Sequence, residues 1–326
     1  MGLLEIDNLS IDFTVDGRWL PAVSGVSFSV ERGEIISLVG ESGCGKSVTC
    51  LSLGRLLPEP PARYSSGKIL LDGKSVLDLN PRALRALRRK TISYIFQEPS
   101  SSLNPVFRIG AQIAEAVQLR VDSEKETDVA GEVLELLDQV GIPDPASAAK
   151  RYPHELSGGM QQRVMIAMAL AGKPDILVAD EPTTALDVTI QAQILELLAR
   201  VNRETGMAII LVTHNLGIVA DMANRVVVMY AGRAVEATET KRLLATPAHP
   251  YTRALLSAVP KLGHSRETLP TIPGNVPSPA DFPSGCRFHG RCQEELALQE
   301  NSICSTNVPE WREIEKGHYA ACHCLK

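Results

Sequence analysis

Gly40-Glu41-Ser42-Gly43-Cys44-Gly45-Lys46-Ser47 follows the apolar run EIISLVG and leads into SVTCLSLGRLL, which has helical spacing. The pattern G-x-x-x-x-G-K-[ST] between a buried strand and a helix is chemistry for phosphate. Glycines let the backbone wrap closely round phosphate oxygens. The helix that follows aims free N–H groups and its positive dipole end at them. Lys46 is expected to reach the β- and γ-phosphates of a nucleotide and Ser47 to offer its hydroxyl to Mg²⁺, so Gly40 to Val48 form a candidate ATP site. Cys44 allows two readings. One is a thiolate favoured by the helix terminus and Lys46, open to oxidation. The other is a small residue filling a place that serine would also fill.

A second chemical group stands at the end of DILVAD, where Asp180 and Glu181 close an apolar run. Asp180 is suited to hold Mg²⁺ through its water shell, and Glu181 to polarise a water for in-line attack on the γ-phosphate. Taken alone, the pair reads equally well as a helix cap. A third group is Ser157-Gly158-Gly159, where Ser157 is an N-cap for the helix GGMQQRVMIAMALA ending near Gly172. With two glycines at its start, the helix leaves its first amides open to an anion. One chain already cradles its own phosphates with Gly40–Ser47, so this second anion site predicts a dimer with ATP sandwiched between copies.

Leu156-Ser157-Gly158-Gly159-Met160-Gln161-Gln162-Arg163, shortly before DILVADEP, resembles the signature of the ABC (ATP-binding cassette) proteins, and DILVADEP resembles their Walker B segment. The resemblance implies further roles. Gln97 in YIFQEP corresponds to the Q-loop glutamine that senses Mg²⁺ and the γ-phosphate. Ala185-Leu186-Asp187 corresponds to the D-loop, and His214 to the switch histidine. Ser157, Gly158, Gly159, Gln161 and Asp187 are thereby expected at the nucleotide, and Phe13 is a candidate to stack on adenine, with Trp19 as its rival. Asn215 departs from the family, which has Asp after that histidine, and a small effect is expected.

The elements that must position these residues are those of an α/β protein. LLEIDNLSIDFTV and AVSGVSFSV suggest a leading antiparallel sheet, while EIISLVG, DILVAD and MAIILVTH suggest buried parallel strands. EVLELLDQVG and QAQILELLARVNRE have helical spacing. The reading is an ABC-type P-loop ATPase core, residues 1–245, with an antiparallel β subdomain and an inserted helical subdomain at about 98–172. A small cysteine-rich extension, residues 246–326, follows.

AHPYTRALL and the proline-rich stretch after it resemble the C-terminal extension of dipeptide and oligopeptide permease ATP-binding subunits, as do EPSSSLNP, YPHELSGGM and DEPTTALDVTIQAQI. That resemblance implies a peptide importer at the cytoplasmic face of the membrane. Its partners are a second, usually non-identical ATPase subunit, two permease subunits and an extracytoplasmic binding protein. Relatives that carry nickel, glutathione or sugars are the alternative. The segment after Gln97 is then a groove for a permease coupling helix, with Leu103, Val106 and Phe107 either lining it or packing internally.

Cys286, Cys292, Cys304 and Cys322 have five, eleven and seventeen residues between successive members, and Cys324 is a fifth thiol. In a reducing compartment such a crowd suggests metal before disulfide, an iron–sulfur cluster or Zn²⁺. The family resemblance favours a 4Fe-4S cluster, with Cys322 as fourth ligand. Free thiols are the alternative.

A formal charge of −5 argues against a broad nucleic-acid-binding face. A soluble ABC ATPase acting on DNA or ribosomes usually has a long coiled-coil insertion or a second cassette, whereas Gln97 and Ser157 lie about sixty residues apart and the phosphate loop occurs once. MGLLEIDNLSIDF does not read as a secretory signal, and no run approaches the roughly 18 apolar residues of a membrane helix.

Overall fold

The structure is a computed structural model describing residues 2–98, 102–120, 128–184, 186–258, 271–296 and 303–325. Ala185 of the D-loop and residues 99–101 after Gln97 lie outside the described residues. Among the described residues no helix is long and apolar enough to cross a membrane. Strands in chain order are β1 (Leu4–Val15), β2 (Arg18–Val30), β3 (Ile35–Val39), β4 (Ala62–Leu71), β5 (Lys74–Ser75), β6 (Ile92–Ile95), β7 (Ile176–Asp180), β8 (Ala208–Val212), β9 (Arg225–Tyr230), β10 (Arg233–Glu239), β11 (Arg312–Glu315) and β12 (His318–Ala320). The chain folds as two units, one of residues 1–31, 35–78 and 212–326, the other of residues 32–34 and 79–211.

The first unit carries the expected leading sheet, in the order β2-β1-β4-β5 with antiparallel pairing throughout. Beside it runs a second set of strands, β11-β12-β10-β9-β3. All five residues of β3 are buried, and β3 pairs in parallel with β9, Val39 opposite Val228. A strand buried on both faces is apolar almost throughout, which is why IISLV, polar only at Ser37, shows no alternation.

The extension shares this unit's core. Tyr230, Tyr251 and Phe288 pack ring on ring, with centroids 4.7 to 5.3 Å apart, and Val39, Val226, Val228 and Cys292 are buried in the same cluster. β12 pairs with β10, Glu236 opposite Ala320, and so adds the C-terminal hairpin to the sheet edge. Glu236 is fully buried, yet its carboxylate accepts the N–H groups of Ala248 and His249 at 2.8 Å each and meets His318 Nε2 at 2.8 Å. A buried carboxylate is tolerable only with partners of this kind.

The second unit holds β6, β7 and β8, with β6 and β7 parallel, and the helical segment expected at 98–172. Its helices include Ile109–Arg120, Val129–Gln139 and Gly158–Ala171. Arg120 ties these three together. Its guanidinium meets both oxygens of Glu132 at 2.7 and 2.6 Å, and its Nε donates to the Ala171 carbonyl at 2.9 Å. A planar fork satisfied on two sides fixes geometry as well as charge.

His249 caps the helix Pro250–Ser257, its Nδ1 accepting the Tyr251 N–H at 3.0 Å. Complete burial, with nearby Arg253 adding, pushes the His249 pKa down to about 3 from 6.5. The unfolded chain takes up that proton below about 6.5 and the folded chain only below about 3, so stability falls as pH falls through this window. His249→Asn keeps a capping acceptor and removes the titration. Urea unfolding followed from pH 6.5 down to about 4.5 will therefore lose stability less steeply in the variant, by up to about 1.4 kcal/mol per pH unit. Equal slopes would place the acid sensitivity in other groups.

Candidate nucleotide site

In the first unit the phosphate loop takes a path that side chains would block. Gly40 has φ 150°, and a Cβ there would lie 2.1 Å from the Met229 carbonyl oxygen, on the strand that pairs with β3. Gly45, at φ 98°, is the N-cap of the helix Lys46–Leu53. Lys46 is 7% exposed, and its ammonium donates to the carbonyls of Gly40 at 2.8 Å and Glu41 at 3.0 Å. The lysine is thus held inside the turn made by its own loop. Ser42, Gly43 and Ser47 are exposed and Val48 half-buried.

Cys44 does not meet the expectation of a reactive thiolate. It is 0% exposed, and burial raises its pKa against the opposing pull of Lys46. Its thiol behaves as the small packed residue of the second reading.

Two residues that the sequence reading missed grip the loop at Glu41. Tyr251 Oη accepts the Glu41 N–H at 2.9 Å, and Arg291 meets both carboxylate oxygens at 3.0 Å. They lie 210 and 250 residues from Glu41 along the chain, and no spacing rule links positions so far apart.

His214, also in this unit, is exposed and follows Thr213, whose N–H is bonded to the Leu38 carbonyl at 3.3 Å. Asn215 Oδ1 accepts the Gly217 N–H at 2.9 Å and so caps the helix Leu216–Met222. An aspartate would cap in the same way, which is why the departure from the family is mild. Phe13 is half-buried in β1, opposite Leu20 and Ala62. Trp19 is 42% exposed, and the Arg63 guanidinium covers its ring at 4.2 Å.

In the second unit, the parallel register sets Ile95 opposite Ala179, so Gln97 and Glu181 leave their strands at the same level. Gln97 Nε2 donates to Glu181 Oε2 at 3.4 Å, and the Thr184 hydroxyl donates to the same oxygen at 2.8 Å. Glu181 has φ 47°, a left-handed conformation costly for a residue with a Cβ and concentrated at functional sites. Asp180, just before it, is half-buried. Thr184 is a partner that the sequence reading missed; its position, three residues after the glutamate, carries no signal by itself.

The helix Gly158–Ala171 forms over the expected span, with Ser157 Oγ accepting the Met160 N–H at 3.4 Å. Gln161 Nε2 donates to the carbonyls of Pro153 at 2.9 Å and Leu156 at 3.2 Å, bracing the loop that presents Ser157. Asp187 caps the helix Val188–Thr205 through the Ile190 N–H at 3.0 Å. Gln191 braces the preceding loop as Gln161 does, through the carbonyls of Thr183 at 3.0 Å and Leu186 at 3.2 Å. A Cβ on Gly159 would lie 2.9 Å from Ile190, so glycine lets the two helix starts approach.

Residues 23–184 match the family model of ABC transporters, and residues 235–297 match the oligopeptide/dipeptide transporter C-terminal region. Over 98% of its length the chain is 47% identical to a probable peptide ABC transporter ATP-binding protein of Sinorhizobium fredii, spanning 94% of that protein. The chain belongs to the ABC transporter ATP-binding family. A dipeptide transport ATP-binding protein of Bacillus subtilis is also 47% identical, with 91% of this chain and 88% of the relative covered. Among solved structures, the dimeric cassette MJ0796 bound to ADP and Pi superposes with a TM-score of 0.65, at 27% identity over 73% of this chain and 98% of the other. As a cassette of this family the chain binds and hydrolyses ATP, and Mg²⁺ belongs to that chemistry.

The cysteine expectation fares differently. None of Cys286, Cys292, Cys304, Cys322 and Cys324 is in a disulfide, and among the described residues no three His, Cys, Asp or Glu side chains are grouped to hold a metal ion. Cys286 and Cys304 meet through backbone, N–H to carbonyl at 2.7 Å, and the Cys322 sulfur accepts the Cys324 N–H at 3.3 Å. Burial pushes the Cys322 thiol up to about 12, and Cys324, Cys286 and Cys292 nearby add to the shift. In this arrangement the Cys322 thiol is held in its protonated form.

Cys44, packed away from water, will escape mild oxidation. After brief treatment with dilute peroxide, mass spectrometry of the Cys44 peptide will show unmodified thiol and ATPase activity will be unchanged; a sulfenic or disulfide adduct at Cys44 with matching loss of activity would reverse this assignment.

Proposed function

We propose that this chain is the ATP-hydrolysing motor of a di- or oligopeptide importer. In this reading it pairs with a second ATPase subunit beneath two permease subunits that receive peptide from an extracytoplasmic binding protein. The level pairing of Gln97 and Glu181 at adjacent strand ends is the observation that carries the catalytic half. The oligopeptide/dipeptide C-terminal match and the peptide-transport names of the relatives support the substrate class over nickel, glutathione or sugars.

Each residue's role follows from its chemistry. Lys46, already desolvated, exchanges loop carbonyls for β- and γ-phosphate oxygens. Ser47 and Asp180 are hard oxygen donors of the kind Mg²⁺ takes, and Gln97 offers an amide oxygen of the same kind. Mg²⁺, when bound, would neutralise charge developing on the phosphates. Glu181 orients and polarises the attacking water. Thr184 and Gln97 fix the carboxylate plane in which it does so. His214 contacts the γ-phosphate. Gly158 and Gly159, with Ser157, Gln161 and Asp187, face the nucleotide of the partner subunit, and the dimeric state of the similar cassette MJ0796 supports that arrangement. Phe13 is the ring for adenine, since Arg63 already covers the face of Trp19.

The permease contact is proposed for Val106 and Phe107, 73% and 55% exposed, whereas Leu103, at 2%, belongs to internal packing. The decisive experiment uses Glu181→Gln. Tagged and extracted in mild detergent, the variant will bring down two multispanning proteins and a second ATPase. It will retain ATP and turn it over about a hundredfold or more slowly than the wild type. Wild-type turnover by the variant would sink the catalytic role, and partners confined to ribosomes or DNA would sink the importer.

A second reading concerns the extension. Support for a cluster there comes from the spacing of Cys286, Cys292, Cys304 and Cys322 and from a cavity of about 180 Å³ beside Cys286. Arg233 and Arg287 line that cavity, and the Nε of each has no hydrogen-bond partner. Two half-buried cations beside a thiol suit an anionic, thiolate-held 4Fe-4S group, with Zn²⁺ as the alternative. Protein purified without air will be brown and contain iron and acid-labile sulfide. A colourless product with zinc selects the alternative, and one with neither metal overturns both.

A further inference from the structure

The phosphate loop is held from outside by the C-terminal extension, and Glu41 is where it is held. The Glu41 carbonyl accepts Lys46 Nζ at 3.0 Å, its N–H is bonded to Tyr251 Oη at 2.9 Å, and its carboxylate lies in the fork of Arg291 with both contacts at 3.0 Å. Tyr251 is fully buried among Tyr230 and Phe288, so its hydroxyl is a fixed point. Arg291 is 8% exposed and is itself fixed. Its Nε donates to the Pro273 carbonyl at 2.7 Å, and its two terminal nitrogens reach Tyr230 Oη at 3.2 Å and the Ile272 carbonyl at 3.4 Å. Every donor of the guanidinium fork is therefore directed, a geometry that a lysine cannot reproduce.

We propose that Arg291 is a positioning residue for ATP binding, which holds the phosphate loop through Glu41 and cancels the charge that Glu41 would otherwise present to the triphosphate. A carboxylate within a loop that binds three phosphates repels its own ligand unless a cation is committed to it. Arg291 supplies that cation from the extension. The device is distinct from Lys46, which attracts phosphate directly; Arg291 removes a repulsion and prevents the Glu41 peptide from turning. A bare staple between extension and core would use the same contacts, but it would act on folding alone. The two roles differ in what happens when Glu41 loses its charge.

The test rests on the ATPase reading above, and wild-type binding of MgATP is its separate control. Failure of that control would sink the ATPase reading before Arg291 is examined. With a fluorescent ATP analogue and steady-state ATPase assays, Arg291→Gln will bind nucleotide about tenfold more weakly, raising KM while kcat stays within about twofold. Adding Glu41→Gln will return affinity to within about twofold of wild type, because the uncompensated carboxylate is gone. Unchanged affinity in Arg291→Gln, or a double variant as weak as the single one, would overturn the proposal. Should Arg291→Gln fail to fold, Arg291→Lys serves in its place. It keeps a point charge without the fork and is expected to raise KM about threefold; a wild-type KM in a protein of lowered melting temperature would identify a staple and nothing more.

Discussion

A buried ammonium enclosed by carbonyls of its own loop is the constraint from which this site is built. Lys46 can be both desolvated and poised for phosphate only if the backbone doubles back tightly around it, and that path runs Gly40 against the carbonyl of Met229. The loop is therefore inseparable from the β3–β9 pairing, because the neighbouring strand supplies the wall. β3, buried along its whole length, keeps that wall dry, and the electrostatic value of a single lysine rises accordingly.

The hydrolytic residues obey a different constraint, that of strand register. Parallel pairing of β6 and β7 delivers Gln97 and Glu181 to one level without either residue choosing its place. The loops beyond the strands are then stiffened by a repeated device. Gln161 and Gln191 each sit one turn into a helix and spend their amide on two carbonyls of the loop before it, and Gln112 does so for the carbonyls of Asn104 and Phe107. Segments that must present backbone groups to a ligand cannot be covered by a core, and a side-chain amide is the cheapest internal support available to them.

What the sequence made legible was contiguous. The glycine-lysine loop, the Ser157 cap and the span of its helix could be read because motif and element are neighbours in the chain, and caps obey local chemistry. The β-rich runs of the first strands and the mostly apolar run of β3 likewise carried their own explanation. The grip of Arg291 and Tyr251 on Glu41 was not legible, since it joins residues more than two hundred positions apart through tertiary packing. Cys44 was left with two readings for a related reason. Its neighbours in sequence, a lysine and a helix start, argue for a thiolate, while its burial, which no local pattern states, argues against one. Cysteine spacing in the tail likewise does not state where the side chains point, which tertiary packing decides.

The left-handed backbone of Glu181 sets turnover against durability in this protein. A glycine or asparagine would sit at that position with less strain, by roughly 1 kcal/mol for the backbone alone. The carboxylate proposed to polarise the attacking water thus stands on a backbone that a smaller residue would hold more easily, and its bonds to Thr184 and Gln97 offset that strain.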